Sequence, residues 1–171
     1  MGYSQMKQLY LLRHAETEHQ SASGEDHERS LTNAGLVKAA KMGQQMRENM
    51  LQPDVCLCSD AMRTVQTQAS VFSTLFEGKK TPPIVHDRVF YLASALQLYD
   101  EIQMVSADCN QLLIIGHNPG IADLAMQLAG EKHLSEIYDY APATLSIFDC
   151  NIEKWDSIRP QSSQFRKLIS I

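Results

Sequence analysis

The sequence is short of the features that mark a membrane protein, a zinc site or a nucleic-acid surface. Only four cysteines occur in 171 residues, Cys56, Cys58, Cys109 and Cys150, and no two form a CxxC pair. Three stand in apolar, strand-like stretches where a free thiol behaves as a small hydrophobe, so buried thiols are expected rather than a metal site or a disulfide frame. No apolar run approaches the ~20 residues that cross a bilayer; Leu112–Ile115 is among the longest. The polar segment 1–8 lacks the hydrophobic centre of a secretory leader. Both shortages point to the cytoplasm and to no membrane partner. Positive charge is scarce as well. Fifteen Lys and Arg are interspersed with 20 Asp and Glu, a net charge of -5, so no broad basic face is expected and nucleic acid is not an expected partner.

What is present is an ordinary globular composition, 44% hydrophobic and 20% charged, suited to a single domain over residues 1–171. Short apolar runs alternate with segments of helical period, the pattern of strands feeding helices in an α/β sheet. Gln8–Leu12 is the first run. Thr32 is placed to cap a helix with apolar positions Leu36, Ala39, Gly43, Met46 and Met50, ended by Pro53 and Asp54. Val55–Cys58 reads as a second strand, followed by the stripe Ala61, Val65, Ala69, Phe72 and Phe76, which stops near Gly78. A weaker strand follows Pro83, and Ser94 with Gln97 makes a capping box before Ala95, Leu98, Ile102 and Val105. Leu112–Ile115 is the clearest buried strand. Asn118 and Pro119 suit the N-cap and first position of a helix through Ile121, Leu124 and Leu128, closed by Gly130. Leu145–Phe148 and Leu168–Ile171 offer late strands. The expected fold is a three-layer α/β/α arrangement with a mainly parallel central sheet and right-handed crossovers.

Ligands in such sheets gather beyond the carboxyl ends of the strands. Three strand-end loops there carry reactive residues: Arg13-His14, Ser59 to Arg63, and Gly116-His117-Asn118. Arginine presents a planar fork that matches two phosphate oxygens, which makes Arg13 and Arg63 candidate phosphate clamps. Neutral imidazole attacks phosphorus, and His14 is the candidate nucleophile, forming a covalent phosphohistidine. A second imidazole in protonated form, His117, is expected to stabilise the charge on the transferring group, with the amides after Asn118 adding a positive helix end. No metal and no cofactor are then required. A lone Arg-His pair is common by chance, but a histidine directly after a buried strand occurs twice here. His19, His27, His86 and His133 read as solvated surface residues. His27 is the least secure of these, because the segment Asp26-His27-Glu28-Arg29 can reach the pocket, where Arg29 would add charge.

These residues resemble the histidine phosphatase superfamily, which includes the phosphoglycerate mutases: Leu11-Leu12-Arg13-His14-Ala15-Glu16 is similar to its Arg-His signature. Asp26-x-x-Arg29-x-Leu31-Thr32-x-x-Gly35, Ser59-x-x-x-Arg63-Thr64-x-x-Thr67 and Gly116-His117-Asn118-Pro119-Gly120 resemble, in order, its short SixA-type phosphohistidine phosphatases. The likeness runs from about Gln8 to Phe148. It implies a phosphoglycerate-mutase-like fold, His14 as the phosphorylated residue, and Arg13, Arg63 and His117 completing the pocket. It also implies that Ser59 and Asn118 support the site, that Asn118 is close enough to touch phosphate, and that Pro142-Ala143-Thr144 is a pocket-side turn. There is little room for the helical lid of the larger mutases, so an open site is expected. Glu16, Asp26 and Asp87 are the candidates for their acidic proton donor.

Imidazole leaves phosphorus readily once protonated, at an ordinary pKa of about 6.5, so a site without a strong acid still suits phosphohistidine. The expected substrate is therefore phosphohistidine on a signalling or phosphotransfer protein, such as a histidine phosphotransfer domain, with inorganic phosphate as product. A small phosphate ester is the nearest alternative, and a mutase a more distant one. A binding module that keeps the basic pocket without turnover is the alternative from another class. A metal-dependent phosphatase using Asp60, Asp87 and Asp123 ranks last, since these acids lack tight spacing. Tyr138, Tyr140 and Trp155 are expected in the core or its rim.

Overall fold

The structure, a computed structural model, describes residues 6–171. The sequence reading of segment 1–8 concerns residues that, through Gln5, lie outside the described ones. Six strands form one sheet in the order β3-β2-β4-β1-β5-β6. β1 (Lys7–Arg13) lies at the centre, parallel to β4 (Gln111–Gly116) and antiparallel to β5 (Thr144–Cys150). β2 (Val55–Ser59) continues the parallel half between β4 and the edge strand β3 (Ile84–Asp87). β6 (Ser163–Ser170) pairs antiparallel with β5 and forms the other edge. The sheet is thus mainly parallel, and the two late strands form its antiparallel margin.

Alternation along the central strands sends side chains into two separate cores. Leu9 and Leu11 of β1 and Leu112 and Ile114 of β4 pack on one face with Leu98, Ile102, Leu124 and Leu128. Those helical residues belong to α3 (Ala95–Gln103) and α4 (Gly120–Ala129). Tyr10, Leu12, Leu113 and Ile115 pack on the opposite face with Ala39, Met42, Met46, Val71 and Phe72. These lie on α1 (Asn33–Glu48) and α2 (Met62–Leu75). Strands buried on both faces read as continuous apolar runs, which is why Leu112–Ile115 stood out in the sequence. A fifth short helix, α5 (Leu134–Ile137), precedes β5. The chain therefore folds as three α/β/α layers, with no large helical lid among the described residues. No helix of these residues is long and apolar enough to cross a membrane.

Several helix ends follow their local chemistry. The Thr32 hydroxyl accepts from the Gly35 amide at 2.9 Å, and Ser94 with Gln97 forms a reciprocal capping box. Gly130, at φ 74°, closes α4 in the left-handed region open to glycine. Asn118 does not cap α4; its amide donates to the Tyr140 carbonyl, and Pro119 takes the N-cap position. The first helix also ends earlier than the pattern suggests, at Glu48, leaving Met50 exposed at φ 58°.

The inward face of α2 departs furthest from the hydrophobic reading. Arg63, Thr64, Thr67 and Gln68 are buried there, whereas Val65 is half-buried and Ala69 exposed. Each buried threonine has partners: Thr64 donates to the Ser59 and Ala61 carbonyls at 2.9 and 2.7 Å, and Thr67 donates to the Arg63 carbonyl at 2.7 Å. The apolar template failed because this helix turns its first two turns toward a polar site. All four cysteines are buried and unpaired. Tyr140 and Trp155 are buried as expected, but Tyr138 is 86% exposed.

Candidate active site

The register of the central strands brings the two histidines side by side. Arg13 pairs with Gly116 across β1 and β4, so the next residue in line on each strand is His14 or His117. Their rings lie 5.3 Å apart between centroids, tilted by 56°. The backbone of His14 is held on both sides: its amide donates to the Gly116 carbonyl, and its carbonyl accepts from Ala143, both at 3.1 Å. The following amide, Ala15, donates to the Thr67 hydroxyl at 3.0 Å, which ties the histidine loop to α2.

A cleft of about 380 Å³ opens at this edge, lined by Arg13, His14, Arg29, Arg63, His117 and Asn118, with Thr17, Asp26, Leu92 and Pro142 completing its wall. His14 is 9% exposed. Its Nδ1 lies 2.7 Å from the Ala15 carbonyl, so Nδ1–H donates there and the Nε2 lone pair is left unshared. Burial, opposed in part by that bond and reinforced by Arg63, Arg13 and Arg29, lowers its pKa to about 4. The ring is a neutral base at physiological pH.

His117 differs from its expected state. Burial first and Arg63 second push its pKa down to about 3, which leaves it neutral rather than protonated. Its ring is held at both nitrogens. Arg63 donates from Nε to Nδ1 at 3.3 Å, so Nε2 carries the proton and donates to the Ser59 hydroxyl at 2.9 Å. The physical reason is burial in a low-dielectric site, with the Arg63 guanidinium beside the ring penalising further positive charge.

The arginines are held as firmly. Arg13 donates from Nη1 to the Tyr140 carbonyl at 2.8 Å, while among the described residues its buried Nε has no partner, and buried Asn118 Oδ1 has none either. A buried N–H without an acceptor is costly in a protein interior and suits a site built to receive an anion. Arg63, 3% exposed, reaches Asp26 twice, from Nη1 to its carbonyl at 2.7 Å and from Nη2 to its carboxylate at 2.9 Å. Arg29 is fixed by Asp26, the Glu18 carbonyl and Thr17.

Among the candidate acids, Asp26 alone lines the cleft. Hydrogen bonds from Tyr91, Arg29 and Arg63 hold its carboxyl well below the usual carboxylate range, so it stays ionised. Glu16 accepts from the Thr32 hydroxyl, and Asp87 caps the Val89 amide. His27 corrects the sequence reading. Rather than standing free on the surface, it pairs with Asp60 at 2.7 Å and sets its ring edge-on to Tyr91, which in turn meets His117 at 5.4 Å. Tyr91 itself escaped notice, because no local pattern marks a tyrosine in the turn after an edge strand. Asp60, Asp87 and Asp123 do not come together; among the described residues no group of three acids, histidines or cysteines could hold a metal ion.

Two glycines of the recognised motifs are required by close backbone approach. A Cβ on Gly35 would stand 2.1 Å from the Glu16 carbonyl oxygen, and one on Gly120 would stand 1.8 Å from that of Ala93. These contacts seat α1 and α4 against the loops that form the cleft.

Comparison with known proteins agrees with this fold. The sequence profile of the histidine phosphatase superfamily (branch 1) matches residues 9–89. An uncharacterized chloroplastic protein of Arabidopsis thaliana is 30% identical over 131 residues, 72% of this chain, which spans 60% of that relative's length. A solved structure from Nakamurella multipartitia, provisionally assigned as the phosphohistidine phosphatase SixA, superposes with a TM-score of 0.83 at 24% identity, covering 96% of each chain. The protein histidine phosphatase SixA complexed with tungstate superposes with a TM-score of 0.76 at 17% identity over 95% of this chain and 96% of the other. With the sequence profile, the shared fold and the paired histidines in agreement, the chain belongs to the histidine phosphatase superfamily.

Proposed function

We propose that the protein is a phosphohistidine phosphatase that works through a covalent phosphohistidine at His14, without a metal or cofactor. The observation that carries this reading is the state of His14: buried, neutral, its Nδ1–H spent on the Ala15 carbonyl and its Nε2 lone pair free beside three guanidinium groups. The Nε2 lone pair attacks the phosphorus of a phosphoimidazole protonated by solvent at its other ring nitrogen, the bond from phosphorus to the leaving nitrogen breaks, and neutral imidazole departs with that proton. Water then attacks the phosphoryl group on His14, the bond from phosphorus to Nε2 breaks, and inorganic phosphate leaves. Arg13, Arg63, Arg29 and Asn118 supply the donors for the equatorial oxygens, with the orphaned Arg13 Nε–H among them. The tungstate bound in the SixA structure is a tetrahedral oxyanion of the same kind, which supports phosphate as the ligand here.

The choice of leaving group rests on the lack of an available acid in the cleft wall. An alkoxide leaving group needs a proton urgently, yet the one carboxyl that lines the cleft is held ionised. Imidazole needs far less help. The exposed Leu92 at the cleft's rim, with no lid over it among the described residues, supports a phosphohistidine carried on a protein surface. Incubation with a phosphorylated histidine phosphotransfer domain and, separately, with small phosphate esters tests this. Faster loss of phosphate from the domain is expected; faster turnover of the esters overturns the substrate assignment.

A further inference from the structure

Asp26 is an unusual presence in a phosphate cleft, because its carboxylate competes with any anion for the same arginines. Its bonds show an ordered arrangement rather than a stray contact. The end of the Arg63 fork is held entirely by this residue, Nη1 on its backbone carbonyl and Nη2 on Oδ2. Oδ2 also accepts from the Tyr91 hydroxyl at 2.7 Å, and Oδ1 accepts from Arg29 Nη1 at 2.9 Å. One side chain thus joins the turn after β1, the first turn of α2 and the loop after β3. Next to it, the His27–Asp60 pair ties the same turn to the end of β2.

We propose that Asp26 is a positioning residue, a built-in counter-anion that aims the remaining terminal N–H groups of Arg63 at the reacting phosphoryl group and weakens the cleft's hold on free phosphate. The single Nε–H of Arg63 is donated to His117 Nδ1, and each terminal nitrogen keeps one further N–H on the sides not taken by Asp26, so those are the donors available to ligand. Three arginines around a dianion would bind substrate and product alike, and uniform binding of that kind does nothing for the chemical step. A carboxylate shared by two of them offsets part of that charge. Orientation and charge are therefore separable. Removing the carboxylate's charge should slow turnover by loosening Arg63, and should tighten phosphate binding by unmasking Arg63 and Arg29. A role confined to holding the fold would weaken both.

The turnover arm of the test rests on the phosphatase reading; the binding arm does not. Inorganic phosphate binding is measured by titration calorimetry on the whole protein, alongside turnover of a phosphorylated substrate, for the wild type, Asp26→Asn and Asp26→Glu. Because the Asp26 side chain is 48% exposed, solvent screens its charge. Asp26→Asn is expected to bind phosphate roughly threefold more tightly and to turn over on the order of tenfold more slowly. Asp26→Glu restores the charge without the geometry, so its phosphate affinity should match the wild type while turnover stays low. Tyr91→Phe, which removes one bond to Oδ2 and keeps the ring against His117 and Arg88, should slow turnover a few-fold at unchanged phosphate affinity. Equal or weaker phosphate binding by Asp26→Asn, or wild-type turnover in it, overturns the inference. A wild type that binds phosphate yet dephosphorylates nothing defeats the phosphatase reading instead, and the affinities still decide the charge effect.

Discussion

Two buried neutral imidazoles make folding stability depend on pH in a calculable way. An unfolded histidine titrates near 6.5, whereas His14 titrates at about 4 and His117 at about 3 in the folded protein. Between these values the unfolded chain binds more protons than the native one, so stability is complete above 6.5 and falls as pH drops toward the folded values. At pH 5.5 a histidine of ordinary pKa is about nine-tenths protonated while His14 remains almost wholly neutral, a difference of about 1.4 kcal/mol for each ring. Moving the wild type from pH 7.5 to 5.5 should therefore cost it about 3 kcal/mol from the two together. Ordinary carboxylates stay largely ionised over this window, and the stability from Asp26, whose pKa is depressed, is lost only at lower pH. Urea denaturation at the two pH values measures the change. His14→Gln should lose only about half as much as the wild type, since one of the two rings is gone. An equal loss in both proteins, or none in the wild type, would refute the burial argument.

The remaining expectations concern the chemistry and the frame that holds it. His14→Ala should bind inorganic phosphate nearly as well as the wild type but form no acid-labile phosphoenzyme on radiolabelled substrate; a trapped phosphoenzyme in that variant would move the nucleophile elsewhere. Arg13→Lys should not rescue turnover, because lysine keeps the charge and loses both the fork and the Nη1 bond to Tyr140, so near-normal rates would contradict the clamp. Gly120→Ala should lower thermal stability by on the order of 2–3 kcal/mol, read as a drop in Tm, because the new methyl collides with the Ala93 carbonyl 1.8 Å away.

The fold was legible where burial is two-sided or where a cap has its own chemistry. Leu112–Ile115 announced a central strand because both its faces are covered, and Thr32, Ser94 and Gly130 marked helix ends by side-chain or backbone chemistry that needs no tertiary partner. The four residues Arg13, His14, Arg63 and His117 could be placed at one sheet edge because strand ends carry loops, and the β1–β4 register makes neighbours of His14 and His117. Asn118 misled because its amide prefers a distant carbonyl, that of Tyr140, over the helix it precedes. The inward face of α2 misled because a hydrophobic template has no place for Arg63, Thr64 and Thr67 facing in. The links from Asp26 to Tyr91 and from His27 to Asp60 span 65 and 33 positions, and nothing local to either partner encodes them.

The neutral state of His117 fits the proposed reaction better than the protonated state first expected of it. Three guanidinium groups already supply the charge that draws a dianion, and a fourth positive group in a buried site would cost desolvation energy before any ligand arrived. Burial first, reinforced by the same charges, holds His14 in the unprotonated form that a nucleophile requires. A phosphoryl dianion entering the cleft would offset the positive charge beside His117, so the ring's affinity for a proton is expected to rise when the proposed transfer begins. Asp26 works in the opposite sense on the outer side of Arg63, limiting how much positive charge the cleft presents between turnovers. In the proposed reaction the arginines select the anion, burial and their field together keep the attacking ring free, and the second ring gains a proton only in response to the group it would stabilise.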